Sequence, residues 1–67
     1  MQISVRNKFA GTVKEVRLGA VMAEIIIQVG DNQVVSAITK DAAEDLALKV
    51  GDKVTALIKS TSVMVQK

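Results

Sequence analysis

A chain of 67 residues has room for one small domain, which we place over residues 1–67, and its composition removes the usual ways of stabilising a domain of that size. Cysteine and histidine are both absent, which excludes disulfide bonds, zinc sites and the commonest general bases. Because 49% of the residues are hydrophobic and the mean hydropathy is +0.33, we expect part of the apolar surface to form contacts between subunits.

The charge is only mildly positive. A formal net charge of +2 with dispersed lysines is weak for a dedicated nucleic-acid binder, so we expect no nucleic-acid partner. The longest apolar stretch, residues 20–29, is interrupted by Glu24 and Gln28 and is too short to span a bilayer. With no secretory pattern at the start, the expectation is a cytoplasmic protein without a membrane partner.

The first half of the chain has the alternation of β-strands. Residues 2–17 are predicted to form one long bent strand, with a bulge at Gly11 where the phase of the pattern changes. Gly19 marks the first turn. Residues 21–29 form the second strand, and its apolar residues alternate along one face.

A hairpin turn at residues 30–32 leads into a third strand, residues 33–39. A short helix follows, for which we predict Asp41 as N-cap with Glu44 as its capping-box partner, and Gly51 at the C-terminal cap. The carboxylates at the helix start are explained by capping and by the helix dipole, so they do not indicate a metal site.

Two more strands are predicted, residues 53–59 and residues 62–66, separated by a short turn or bulge. The prediction is thus an all-β fold, a five-stranded OB-like barrel with one short helix between strands 3 and 4. An SH3-like barrel is the competing interpretation of the same pattern.

The chemistry left to this chain is hydrogen-bond donation. Without His or Cys an enzyme is not expected, and a single aromatic residue, Phe9, offers no platform for stacking bases. Ser4 and Arg6 share a strand face, whereas Lys59 and Ser60 end the fourth predicted strand. A tetrahedral dianion without a proton needs donors only, which such side chains supply, although each residue alone is more typical of an ordinary surface.

The order of short segments along nearly the whole chain resembles the molbindin (Mop) family of molybdate- and tungstate-binding TOBE-type domains. The segments are ISVRN, FAGTV, AIT, LALKVGD, ALIKST and VMV, at residues 3–7, 9–13, 37–39, 46–52, 56–61 and 63–65. The resemblance implies an OB-like barrel that assembles as a homo-hexamer, a trimer of dimers, and stores or buffers molybdate or tungstate between subunits.

The resemblance also implies which residues bind the oxyanion, with no metal atom coordinated directly by the protein. Side-chain donors are Ser4, Arg6, Thr39, Lys59 and Ser60; backbone N–H groups of Ala20 and Val21 are added from the first turn. Two other functions stay open at this point, an OB-type nucleic-acid-binding module and a purely structural oligomerisation module.

Overall fold

The computed structural model describes residues 4–67, which form four strands, one α-helix and one 3₁₀ turn. The predicted parts of the fold that involve residues 1–3 lie outside the described residues. In chain order the elements are β1 (Asn7–Leu18), β2 (Met22–Val29), β3 (Asn32–Thr39), α1 (Lys40–Asp45), β4 (Lys53–Ile58) and the 3₁₀ turn Ser60–Ser62.

The sheet is built around β1. Residues 7–12 of β1 pair with β4, and residues 12–18 pair with β2, in both cases antiparallel. The strand order is β3-β2-β1-β4, so β3 and β4 are the two edges of the described sheet. The predicted all-β, OB-like fold with one short helix between the third and fourth strands is confirmed.

The bulge in β1 lies at Lys14, not at Gly11 as predicted. Val13 pairs with Ile27 and Glu15 with Ile26, which leaves Lys14 as the extra residue. Here the backbone of Val13 is also bonded to the turn before β4: its N–H donates to the Asp52 carbonyl at 2.8 Å, and its carbonyl accepts from the Gly51 N–H at 2.9 Å. The bulge therefore lies just beyond Thr12, the residue at which β1 passes from β4 to β2.

Gly11 has a different function, which is to let β2 approach. A Cβ at this position would lie 2.6 Å from the Gln28 carbonyl oxygen and 2.7 Å from a methyl group of Ile27. The change of the apolar pattern at Gly11 thus reflects the close packing of β1 against β2. It does not mark an extra residue in the strand.

The hairpin between β2 and β3 is tighter than predicted. Val29 pairs directly with Asn32, so the loop consists of two residues, Gly30 and Asp31. Gly30 has φ +59°, a conformation that favours glycine at the first position of a two-residue hairpin. The predicted turn at Gly19 is also present. The Gly19 N–H donates to the Met22 carbonyl at 2.8 Å.

The core is small and comes mostly from the alternating face predicted for the second strand. Ala23, Ile25 and Ile27 are buried, whereas Val21, at the turn, is 71% exposed. The other buried residues are Val13, Ala43 and Ala56. Phe9, for which a core position is the usual expectation, is 41% exposed.

The helix begins two residues earlier than predicted, with Thr39 as its N-cap in place of Asp41. The Thr39 hydroxyl accepts a hydrogen bond from the Ala42 N–H at 3.1 Å. Asp41 lies in the first turn, where its charge suits the helix dipole. Glu44, the predicted capping-box partner, instead lies 3.8 Å from the Lys40 ammonium.

The helix also ends earlier than predicted. Asp45 is its last residue, Leu46 is the C-cap, and Ala47 takes the left-handed conformation with φ +51°. Gly51 is therefore not a helix cap. Its φ of +98° serves the turn into β4, where it reaches Val13.

The predicted last strand, residues 62–66, is absent from the described sheet. Ser60–Ser62 form the 3₁₀ turn, and residues 63–67 continue as exposed chain without strand pairing. β4 begins at Lys53 as predicted but ends one residue early, at Ile58, which leaves Lys59 outside the strand. Among residues 4–67 no helix has the length and apolarity needed to cross a membrane.

We predict that Gly11→Ala lowers the free energy of unfolding by about 1–3 kcal/mol, because the new methyl group meets the backbone of β2. Urea unfolding followed by circular dichroism measures this loss. Ala10→Ser, on the neighbouring exposed residue, is the control and should change stability by less than about 0.5 kcal/mol. Equal stability of the two variants would contradict the close-packing role of Gly11.

A second prediction concerns the helix cap. Thr39→Ala should cost about 1 kcal/mol of stability, since the Ala42 N–H loses its acceptor, and Thr39→Ser should restore most of it. Asp41→Ala, which removes only a charge in the first turn, should cost less than Thr39→Ala. Thermal unfolding of the parent and the three variants in parallel ranks their stabilities. A larger loss of stability for Asp41→Ala than for Thr39→Ala would show that Asp41 is the N-cap.

Candidate functional site

A groove of about 360 Å³ lies where the beginning of β1 meets the end of β4. Asn7 pairs with Ile58, and the Asn7 side-chain amide donates to the Ile58 carbonyl at 3.1 Å. This pairing brings the residues before β1 next to those after β4. The groove is lined by Ser4, Val5, Arg6, Lys59, Ser60 and Thr61.

Four of the seven predicted site residues are therefore brought together: Ser4, Arg6, Lys59 and Ser60. Thr61 lines the same groove and was not predicted. Its place directly after Lys59 and Ser60 is the signal that could have found it. None of the six lining residues is acidic, so the groove offers a guanidinium, an ammonium and three hydroxyl groups without a carboxylate.

The two cations of the groove are not neutralised by neighbours. Within residues 4–67, neither Arg6 nor Lys59 forms a salt bridge, and both are exposed. Because a dianion would be the first opposite charge that they meet, this pair is suited to bind one.

Arg17, by contrast, is already paired. Its guanidinium lies 3.0 Å from the Glu15 carboxylate and 3.3 Å from that of Glu24. The hydrogen bond from Arg17 to Glu15, with the charges of Glu15 and Glu24, raises the pKa of Arg17. An anion would have to compete with two carboxylates there, so Arg17 makes a useful control for Arg6.

The other three predicted residues lie together in a second cluster, at the far end of β1. Thr39 pairs with Met22, and the Lys40 N–H donates to the Val21 carbonyl at 2.7 Å, so the end of β3 adjoins the turn that contains Ala20 and Val21. Within the described chain, neither Ala20 nor Val21 donates a backbone hydrogen bond outside the strand ladders. The Thr39 hydroxyl accepts from Ala42 but keeps its own hydrogen for donation.

The length of β1 separates the two clusters. The strand has 12 residues, which at 3.3 Å each is about 40 Å along its path. Arg6 precedes it and Ala20 follows it. The seven predicted residues consequently do not form one site within a single chain.

A conventional metal centre is not visible in the part of the chain that is described. Residues 4–67 contain no group of three or more Asp or Glu side chains arranged to hold a metal ion. What the side chains and free N–H groups at both ends of β1 offer is hydrogen-bond donation.

Comparison with known proteins identifies the family of the chain. Residues 3–65 match the TOBE domain family. The chain is 46% identical to molybdenum-pterin-binding protein 3 of Clostridium pasteurianum over 66 residues, which is 97% of each chain.

Two solved structures are also similar. A molybdate-binding protein from Sporomusa ovata is 51% identical and superimposes with a TM-score of 0.96, covering all of both chains. The cytoplasmic molybdate-binding protein ModG, solved with molybdate bound, is 39% identical with a TM-score of 0.85; the match covers 90% of this chain and 43% of that protein. With a match over nearly its whole length, this chain belongs to the TOBE domain family.

Proposed function

We propose that this protein binds molybdate or tungstate in the cytoplasm and stores or buffers the oxyanion, without catalysing a reaction. The observation that carries the proposal is the groove at the start of β1, which presents Arg6 and Lys59 with hydroxyl groups and no carboxylate. The names of similar proteins support it, since those from Clostridium pasteurianum and Sporomusa ovata are described as binding molybdenum-pterin and molybdate.

The donor set accounts for the chemical class of the ligand. A fully deprotonated tetrahedral dianion accepts hydrogen bonds at all four oxygens, and the groove has donors for them. Phosphate near neutral pH carries at least one proton, so a hydroxyl oxygen of the groove has to accept from it, and that oxygen of phosphate receives less donation than an unprotonated one. Molybdate and tungstate, which carry no proton, are therefore favoured over phosphate.

We place the complete site between subunits of a homo-hexamer arranged as a trimer of dimers. The two donor clusters lie at opposite ends of β1, so the groove of one copy and the Thr39 cluster of another have to meet if both contact the same ion. The apolar surface is consistent with such contacts, since Leu18 and Val21 at the far end of β1 are 58% and 71% exposed.

The first test of this function is thermal unfolding with molybdate and with tungstate. A ligand at about 100 times its dissociation constant adds about 2.7 kcal/mol, which for a domain of this size raises the Tm by roughly 10–20 °C. Arg6→Ala should abolish most of the rise, whereas Arg17→Ala, whose guanidinium is occupied by Glu15 and Glu24, should keep it. An equal rise with phosphate, or an unchanged rise in Arg6→Ala, would refute the proposed site.

A second test asks whether one site draws on two copies. Thr39→Asp keeps an N-cap residue but places a carboxylate in the second cluster. Arg6→Ala removes the guanidinium from the groove. Each variant alone should bind poorly. The two variants are then unfolded and refolded together in equal amounts. In the mixture half of the chains have an intact groove and the other half an intact Thr39 cluster. About a quarter of the shared sites therefore combine an intact groove with an intact Thr39 cluster, because the two come from different chains.

Isothermal titration of molybdate into the mixture and into each variant measures the recovered stoichiometry. Recovery in the mixture supports a site between subunits. Strong binding by Thr39→Asp alone would remove Thr39 from the site, and no recovery from two weak variants would place both clusters outside a shared site.

A further inference from the structure

One side-chain hydrogen bond of the described chain differs from the others in reach and in burial. The Asn7 Nδ2 donates to the Ile58 carbonyl at 3.1 Å, and the two residues are 51 positions apart in the sequence. The other five side-chain hydrogen bonds within residues 4–67 join residues at most seven positions apart, and all five are exposed. The Asn7 bond is partly buried, so water competes with it less.

This bond lies directly behind the anion groove. Asn7 follows Arg6 in the sequence, and Ile58 precedes Lys59. Arg6 and Lys59 line the groove, whereas Asn7 and Ile58 do not. The Asn7 amide therefore joins the two points at which the cation-bearing segments leave the sheet, without itself reaching an ion in the groove.

The two walls of the groove differ in what else holds them. On one wall the Lys59 carbonyl accepts from the Ser62 N–H at 2.9 Å, within the 3₁₀ turn. On the other wall residues 4–6 belong to no strand or helix, and within the described chain no backbone hydrogen bond outside the helix and the strand ladders involves them. Because the ends of strands open more readily than their interiors, the position of Arg6 depends on the bond made by Asn7.

We propose that Asn7 is a positioning residue for the anion site, and that its amide holds Arg6 beside Lys59 without touching the ion. The inference rests on the proposed function, which makes this groove the binding site. Two neighbouring cations repel each other while the groove is empty, so a loosened strand end would let Arg6 move away from Lys59. Bringing the two together again would consume part of the binding free energy, and the Asn7 bond avoids that cost.

An asparagine suits this position because its amide donates a hydrogen bond without carrying a charge. Aspartate has nearly the same size, but its ionised carboxylate only accepts, and it would add a negative charge behind a site for a dianion. Leucine is also similar in size and neither donates nor accepts. The substitutions Asn7→Leu and Asn7→Asp therefore separate the loss of the hydrogen bond from the effect of an added charge.

The test is the dissociation constant of molybdate, measured by isothermal titration on folded protein, with urea unfolding of the same samples without anion. Asn7→Leu should raise the dissociation constant about five- to tenfold, the net effect of one hydrogen bond. Gln28→Leu is the matched control, because the Gln28 Nε2 donates to the Gly30 carbonyl at 2.7 Å in a hairpin that does not line the groove. This control should bind molybdate within about twofold of the parent.

Asn7→Asp provides a second measurement that keeps the size of the side chain. At low salt it should raise the dissociation constant at least about thirtyfold, because the lost donor and the added charge act together. High salt should reduce the difference between Asn7→Asp and Asn7→Leu, since dissolved ions screen the carboxylate, but it should not restore Asn7→Leu to the affinity of the parent. Gln28→Glu adds the same charge at the hairpin and should stay within about threefold of the parent.

The titrations distinguish a positioning residue from one that only stabilises the fold. If both Asn7 variants keep the dissociation constant of the parent, whatever their stability in urea, the inference is overturned while the proposed function stands. A loss of affinity in Gln28→Leu equal to that in Asn7→Leu would also overturn it, because the loss would then follow stability in general. If the parent protein itself binds no molybdate, the proposed function fails and this inference fails with it.

Discussion

The structure depends on β1, the long strand that joins β4 to the β2–β3 hairpin. β1 takes β4 as its neighbour over its first half and β2 over its second half, and the change occurs at Thr12, two residues before the bulge at Lys14. Val13, beside the bulge, bonds through both its N–H and its carbonyl to the turn before β4. Every other strand is joined to β1 directly or through a neighbouring strand. The hydrogen bonds of β1 therefore fix the positions of both sheet edges and of both donor clusters.

The length of β1 also explains why binding and assembly are connected in our proposals. A strand of 12 residues has Arg6 before its first residue and the Thr39 cluster beside its last, so neither cluster alone provides all the predicted donors. We propose contact between copies as the means by which such a small chain surrounds an ion. The buried core, with only Val13, Ile25 and Ile27 as large side chains, leaves much apolar surface for that contact.

Arg6 and Arg17 illustrate how surroundings decide what a charged residue does. Both are exposed arginines near an end of β1, but Arg17 is held by Glu15 and Glu24, and the carboxylates raise its pKa. Arg6 faces a groove with Lys59 and three hydroxyl groups instead. The residue type is the same in the two cases. Only the neighbouring side chains make Arg6, and not Arg17, a candidate for anion binding.

The sequence by itself determined the fold class, the position of the helix between the third and fourth strands and the alternating core of β2, because these follow from local periodicity and turn residues. Only the tertiary structure decided the role of Gly11, the placement of the bulge at Lys14 and the use of Thr39 as N-cap, since each depends on contacts with a neighbouring strand or turn. It also decided that Ser4, Arg6, Lys59 and Ser60 meet while Thr39, Ala20 and Val21 lie elsewhere. The predicted strand at residues 62–66 was wrong for the described chain. Alternation of apolar residues indicates that a segment can form a strand, but it does not indicate which sheet edge the segment pairs with.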